Sequence, residues 1–337
     1  MGLRIAVIGA PSLVGREILR CLSECSLRPT EVIALAPGRG AGAELSWGEK
    51  GVLTTRDVAR YDFKGTDLAI FSCDAALAAV EVPRAAAAGC LAIDLSGQFH
   101  LEADVPLVAA AVNAKALSRP RKRNIIACPT PASLLLAMVL QPLHALARVR
   151  RVVAANYQPV SGLGKPGMDE LWTQTRGIFV NDNPEAEQFT KQIAFNVIPH
   201  VDRFMTDGAT REEWAMGVEL RKILDPDIQV SATCVRVPVM LGLGMALNIA
   251  FERPISEREA RDALRNTPGM TVLDRRDDGG YASPAEIVGE DAVYVSRIRR
   301  DATLPQGLSL WLVGDDVRLG AALNAVQIAE MLFVKAG

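Results

Sequence analysis

The run Gly9-Ala10-Pro11-Ser12-Leu13-Val14-Gly15 follows an apolar stretch, Arg4–Ile8, and opens a helical pattern. Strand, tight turn and helix in that order form the frame of a dinucleotide phosphate loop. The first glycine permits the turn, the last lets helix lie close on strand, and the helix N–H groups can face a pyrophosphate. Ser12 stands where a glycine lets the backbone approach the phosphates. The run therefore has two readings, a working dinucleotide loop or an inherited strand–turn–helix that holds nothing. Other chemistry-bearing residues are sparse. Cysteines 21, 25, 73, 90, 128 and 234 are scattered, with no Cys-x-x-Cys pair and no zinc spacing. They read as buried free thiols of a reducing compartment, and no metal is expected. His100, His144 and His200 are the only histidines, so the usual general base near neutral pH has few candidates. The basic run Arg119-Pro120-Arg121-Lys122-Arg123 lacks interleaved aromatics and reads as a solvated loop, not a nucleic-acid patch.

The elements that must position these residues fall into two textures. Residues 1–127 alternate short apolar runs (4–8, 31–35, 67–72, 90–95, 106–110 and 124–127) with helical patterns at Val14–Cys25 and Ala75–Ala88. That alternation predicts a parallel, doubly wound sheet. Pro131–Leu146 reads as a long buried helix. Longer Val-rich runs follow at 150–160, 229–239 and 246–252, and a helix near 256–265 is capped by Ser256. A second domain of α+β type on a mixed or antiparallel sheet is expected. The apolar stretch Leu319–Ala336 can return to the first domain. The expected divisions are 1–128, 129–314 and 315–337. The chain has 337 residues, 49% of them hydrophobic, and a formal net charge of -2. No apolar run reaches membrane-spanning length. A soluble, cytoplasmic protein without a nucleic-acid or membrane partner follows as an expectation.

Longer motifs carry a resemblance. They are Asn156-Tyr157-Gln158-Pro159-Val160-Ser161-Gly162-Leu163-Gly164, Gln192-Ile193-Ala194-Phe195-Asn196-Val197-Ile198-Pro199-His200, Arg211-Glu212-Glu213-Trp214, Cys234-Val235-Arg236-Val237-Pro238-Val239 and Gly320-Ala321-Ala322-Leu323-Asn324. In this order, over nearly the whole chain, they resemble the aspartate-semialdehyde dehydrogenase family, and within it the Usg-type homologues. The resemblance implies a Rossmann-like cofactor domain and a catalytic and dimerisation domain, hence a homodimer. It also implies a cysteine thiolate that attacks an aldehyde, hydride transfer to NADP or NAD, release of the thioester by phosphate, and a histidine acid–base.

Carried over residue by residue, the resemblance leaves gaps. The nucleophile of an N-P-N-C-S-T run falls on Pro131 within Ala127-Cys128-Pro129-Thr130-Pro131, and the histidine seven residues after the arginine of C-V-R-V falls on Leu243. A phosphate-binding arginine is replaced by His100, and the lysine after Glu-Glu-Trp by Ala215. Cys128 lies three residues before the nucleophile position, a reach of roughly 10 Å, and a buried structural cysteine is the stronger reading. Substrate contacts are implied at Arg236, which would grip a carboxylate, at Glu212 and at His100, with Gln158 beside the nucleophile position. Cofactor contacts are implied at Gly9, Pro11, Ser12, Leu13, Val14, Gly15, Arg39, Ser161, Gly162 and Asn324. Pro37 and Gly40 replace serines that would favour a 2′-phosphate, so the choice between NAD and NADP stays open.

Three readings follow. The first is a ligand-binding or regulatory homologue without the phosphorylating dehydrogenase activity. The second is a dehydrogenase of altered substrate, using Cys128 or direct hydride transfer. The third is a structural subunit of a heteromeric complex.

Overall fold

The structure, a computed structural model, describes residues 2–49, 51–118, 122–182 and 184–334. The chain divides into two compact units, residues 1–130 with 321–337, and residues 131–320. Arg119, Pro120 and Arg121 of the basic run lie outside the described residues, as does the side chain of Arg39.

The first unit is built on β1 (Arg4–Ile8), α1 (Leu13–Glu24), β2 (Glu31–Ala36), a small antiparallel pair β3 (Glu44–Trp47) and β4 (Gly51–Thr54), β5 (Arg56–Asp57), β6 (Leu68–Phe71), α2 (Ala75–Ala87), β7 (Leu91–Asp94), α3 (Ala110–Asn113) and β8 (Ile125–Ala127). Its sheet is wholly parallel in the order β5-β2-β1-β6-β7-β8. Strands covered on both faces read as continuous apolar runs, and β6 and β7 are buried at every position. On α1 the 3.6-residue period brings Ile18, Leu19 and Leu22 to one buried face.

One expected strand is corrected. Residues 106–110 make a single parallel bridge, Leu107 to Ala127. Pro106 has no N–H to donate, and the Asn113 side chain then takes both the Ala109 N–H and the Leu107 carbonyl. The chain turns into α3 instead of extending the sheet.

The second unit holds α4 (Pro131–Ala147), β9 (Val149–Gln158), α5 (Gly164–Phe179), α6 (Arg211–Ile223), β10 (Gln229–Arg236), β11 (Leu243–Phe251), α7 (Glu257–Arg265), β12 (Met270–Val272), β13 (Val293–Arg300) and β14 (Gly307–Gly314). The mixed sheet has the order β10-β9-β11-β14-β13-β12. The long apolar helix α4 lies against β9, β11, β13 and β14. Capping boxes fix two helix starts, Thr210 with Glu213 on α6 and Ser256 with Glu259 on α7. After β14, Asp315 accepts from the Val317, Arg318 and Gly289 amides. Those bonds keep residues 315–320 with the second unit, so the division comes after Gly320 and not after Gly314. The chain then re-enters the first unit as α8 (Asn324–Phe333), whose Val326, Ile328 and Ala329 join the core cluster of α1. Among the described residues no helix is long and apolar enough to cross a membrane, and no group of side chains could hold a metal ion.

Candidate functional site

The first unit presents the Gly9–Gly15 loop. Gly9 sits at φ 77°, and a Cβ there would meet the Ser72 carbonyl oxygen at 2.2 Å. A Cβ on Gly15 would meet the Gly9 carbonyl oxygen at 2.1 Å. The two glycines that remain are therefore those the turn itself requires. Ser12 is the N-cap of α1, and its Oγ accepts from the Gly15 N–H at 3.0 Å. That bond satisfies one first-turn donor. The Leu13 and Val14 amides have no partner among the described residues, and Pro11 offers only a carbonyl, which takes the Arg16 Nε.

Cys128 follows β8 with 2% of its surface exposed. Its N–H donates to the Asp94 carbonyl at 2.8 Å. Burial first, and the Asp94 charge second, push its thiol far above the ordinary range, against a smaller opposing bond to Asn324. Burial raises Cys73, Cys90 and Cys234 to about 12 as well. Cys73 is partly exposed but faces Asp94, Asp74 and Glu81, and the other three are buried, so none has the partly exposed, electropositive setting that makes a cysteine reactive. His100 is buried beside Asp94 and folds over Gly97. Asn324, expected as a cofactor contact, uses its amide on the first unit itself: Oδ1 accepts from Ala110 and Nδ2 donates to Val108. It holds α8 to the start of α3.

In the second unit the parallel register pairs Arg236 of β10 with Gln158 at the end of β9. Arg236 is only 6% exposed. Its Nη1 donates to the Pro159 carbonyl at 2.6 Å, and no carboxylate lies within ion-pair distance among the described residues. Gly162 makes room for it, since a Cβ there would sit 2.6 Å from that Nη1. Desolvation lowers the arginine pKa, and Glu212 and Asp316 oppose this from farther away. Glu212, in the first turn of α6, accepts from Gln158 Nε2 at 2.8 Å. The residue as a whole keeps partial exposure, but burial of its carboxyl raises the pKa to about 7. Asp316 was not anticipated from the sequence. It is buried, with Oδ2 accepting from Ser161 Oγ at 2.6 Å and Oδ1 from the Gly242 N–H at 2.9 Å. Ser161, expected as a cofactor contact, thus gives its hydroxyl to Asp316. The only advance signal was the acidic pair Asp315-Asp316 between a strand and a helix.

Pro131 is the first residue of α4, where a proline is well tolerated. It lies against Gly320, whose added Cβ would be 2.8 Å from the proline Cβ. Leu243 is the first residue of β11, 2% exposed and paired with Gly314. Neither side chain can attack a carbonyl or move a proton.

Residues 4–119 match the family described as "Semialdehyde dehydrogenase, NAD binding domain", and residues 140–319 match "Semialdehyde dehydrogenase, dimerisation domain". The protein named aspartate-semialdehyde dehydrogenase of Aquifex aeolicus is 40% identical over 339 residues, covering 100% of this chain and 99% of its own. That of Rickettsia bellii is 40% identical over 328 residues, 97% of each chain. The crystal structure of aspartate semialdehyde dehydrogenase II from Vibrio cholerae, complexed with ASA, superposes with a TM-score of 0.96 at 36% identity, covering 100% of both chains. The chain belongs to the aspartate-semialdehyde dehydrogenase family. Aspartate-semialdehyde dehydrogenases share this fold of a parallel-sheet domain and a mixed-sheet domain. Gln158, Glu212, Arg236 and Leu243 fall inside the matched dimerisation domain. Cys128 and Pro131 fall between the two matched spans.

Proposed function

We propose that this protein keeps the scaffold and a small-anion site of the aspartate-semialdehyde dehydrogenase family without its thiol-dependent, phosphorylating oxidation, and acts as a ligand-binding homologue. The observation that carries the reading is Pro131 at the head of α4. A helix N-terminus lowers a thiol's pKa and suits a nucleophile, and here that position holds a ring carbon against Gly320. Cys128 does not take over, because it is buried and strongly disfavoured as a thiolate. Leu243, buried and apolar, supplies no base.

What remains is a binding site. Arg236 is held by Pro159 and accommodated by Gly162, and its other N–H groups are uncommitted among the described residues. A buried guanidinium of that kind is suited to a carboxylate. Gln158 and Glu212 stand bonded to each other near it. The first unit also fits a dinucleotide: its strand–turn–helix is intact, and the Leu13 and Val14 amides and the Ser12 hydroxyl can face a pyrophosphate. NAD or NADP bound there would supply a hydride acceptor. The thiol route predicts a covalent thioester when substrate and NADP are mixed without phosphate. Intact-mass measurement of this protein under those conditions is expected to show no adduct, and an acyl adduct on any cysteine would overturn the reading.

We further infer a homodimer, supported by the matched dimerisation domain. The second unit exposes Phe179, Val180, Phe195 and Val197, with the two phenylalanine rings edge to face at 5.9 Å. Exposed apolar clusters of this sort mark interaction surfaces. Phe195 also adopts φ 57°, a costly conformation for an aromatic residue. Phe179→Asp with Phe195→Asp is expected to yield a folded monomer by sedimentation at micromolar concentration. An unchanged dimer would place the interface elsewhere.

A further inference from the structure

Resting on the reading of Arg236 as an anion site, we propose that Glu212 gates that site by its proton. In its acid form it admits a small carboxylate without an ammonium group, such as a 2-oxo acid, onto Arg236, and where Glu212 starts ionised each anion bound takes up as much as one proton. The geometry begins with the arginine. It is nine-tenths buried, its one protein acceptor is a carbonyl, and no carboxylate neutralises it at contact distance among the described residues. The carboxyls it faces are Glu212 and Asp316. Asp316 cannot respond freely, because both its oxygens already accept bonds, from Ser161 and Gly242. Glu212 can, since among the described residues only Oε1 is engaged, by Gln158.

Burial and the acidic groups around Glu212 favour its acid form. Glu219, two turns further along the same face of α6, is wholly buried, and Asp202 approaches from the segment before α6, both raising its pKa. Ala215, three residues on, provides no cation at the spacing that would pair with Glu212. Arg236 from β10 and Gln158 from β9 oppose these effects, and burial outweighs them, leaving the carboxyl near pH 7. A second anion at Arg236 adds like charge beside Glu212 and disfavours its ionised form further. The complex then binds more protons than the free protein near and above neutrality. By linkage, affinity rises as pH falls and levels off once Glu212 is already protonated. A ligand bearing an ammonium group would offset the ionised carboxylate and lose that dependence.

The test is calorimetric titration of the full chain with 2-oxobutyrate, which stays fully ionised throughout, and with its isostere 2-aminobutyrate, from about pH 5.5 to 8.5. Affinity for the oxo acid is expected to be flat at the acid end and to fall by up to about tenfold per pH unit above pH 7, with heats that depend on buffer ionisation. Glu212→Gln should keep the low-pH affinity and abolish the slope. At pH 6 the oxo acid should bind more tightly than the amino acid. A flat wild-type profile, a slope retained in Glu212→Gln, or preference for the amino acid at pH 6 would overturn the gate. The buffer-dependent heats of the wild type decide the matter even if the variant fails to fold. No binding of the oxo acid at any pH, or binding unaffected by Arg236→Met, would instead remove the anion site and the gate with it.

Discussion

On the proposed reading, replacing Pro131 by cysteine and Leu243 by histidine together will create phosphate-dependent oxidation of aspartate semialdehyde that the parent protein does not perform. Pro131→Cys alone places a thiol in the first turn of α4, where the helix N-terminus favours the thiolate. Without a base its rate will be close to background. Adding Leu243→His supplies the acid–base group, and positioned groups of that type contribute about 10²–10⁴-fold. The double variant should exceed the single one by that range. Its rate will stay below that of complete enzymes, because His100 and Ala215 still stand where the family resemblance places an arginine and a lysine. NADPH formation with and without phosphate measures the gain. Equal rates in single and double variants would show that position 243 is not the missing base.

Arg236→Met will separate binding from stability. A buried arginine kept as a fold contact should be costly to remove, about 3–5 kcal/mol when a buried ion pair is broken. Arg236 has no such pair among the described residues. It makes one hydrogen bond to Pro159, and burial lowers its pKa, so the protein holds its charge at a cost. Removing a buried charge that has no ion-pair partner also removes its desolvation cost. Thermal unfolding of Arg236→Met should therefore lie within about 1 kcal/mol of the parent or above it. Binding of a small carboxylate should weaken by about 10–100-fold or more, the loss expected for a charged hydrogen bond. A large drop in stability with binding retained would make Arg236 a structural residue.

Much of the first unit was legible because its physics is local. β1, α1, β6 and β7 follow from apolar runs and a 3.6-residue period, and Gly9 and Gly15 mark the one turn that demands them. Residues 106–110 misled because Val and Leu there satisfy strand propensity, while the deciding bonds come from Asn113, several residues away. The short β3–β4 pair went unread because short runs carry weak periodicity, and the eight-residue β14 because it is covered at almost every position and shows no alternation. At the site, residue identities could be aligned but their partners could not. Ser12 looked like an obstacle to phosphate and is also a helix cap. Ser161 and Asn324 looked like cofactor contacts, and the fold engages both side chains internally. Asp316 was invisible because its importance lies in burial and in Gly242, far away in sequence. That positions 131 and 243 hold a proline and a leucine needed only residue type, and so could be read from the sequence alone.

The most direct test is the steady-state assay of the unaltered protein with aspartate semialdehyde, phosphate and NADP. Triad-type nucleophile losses cost on the order of 10⁶ in rate, so NADPH formation is predicted to remain indistinguishable from the protein-free control. Phosphate-dependent turnover within about tenfold of a typical enzyme rate, on the order of 10 s⁻¹, would contradict the account.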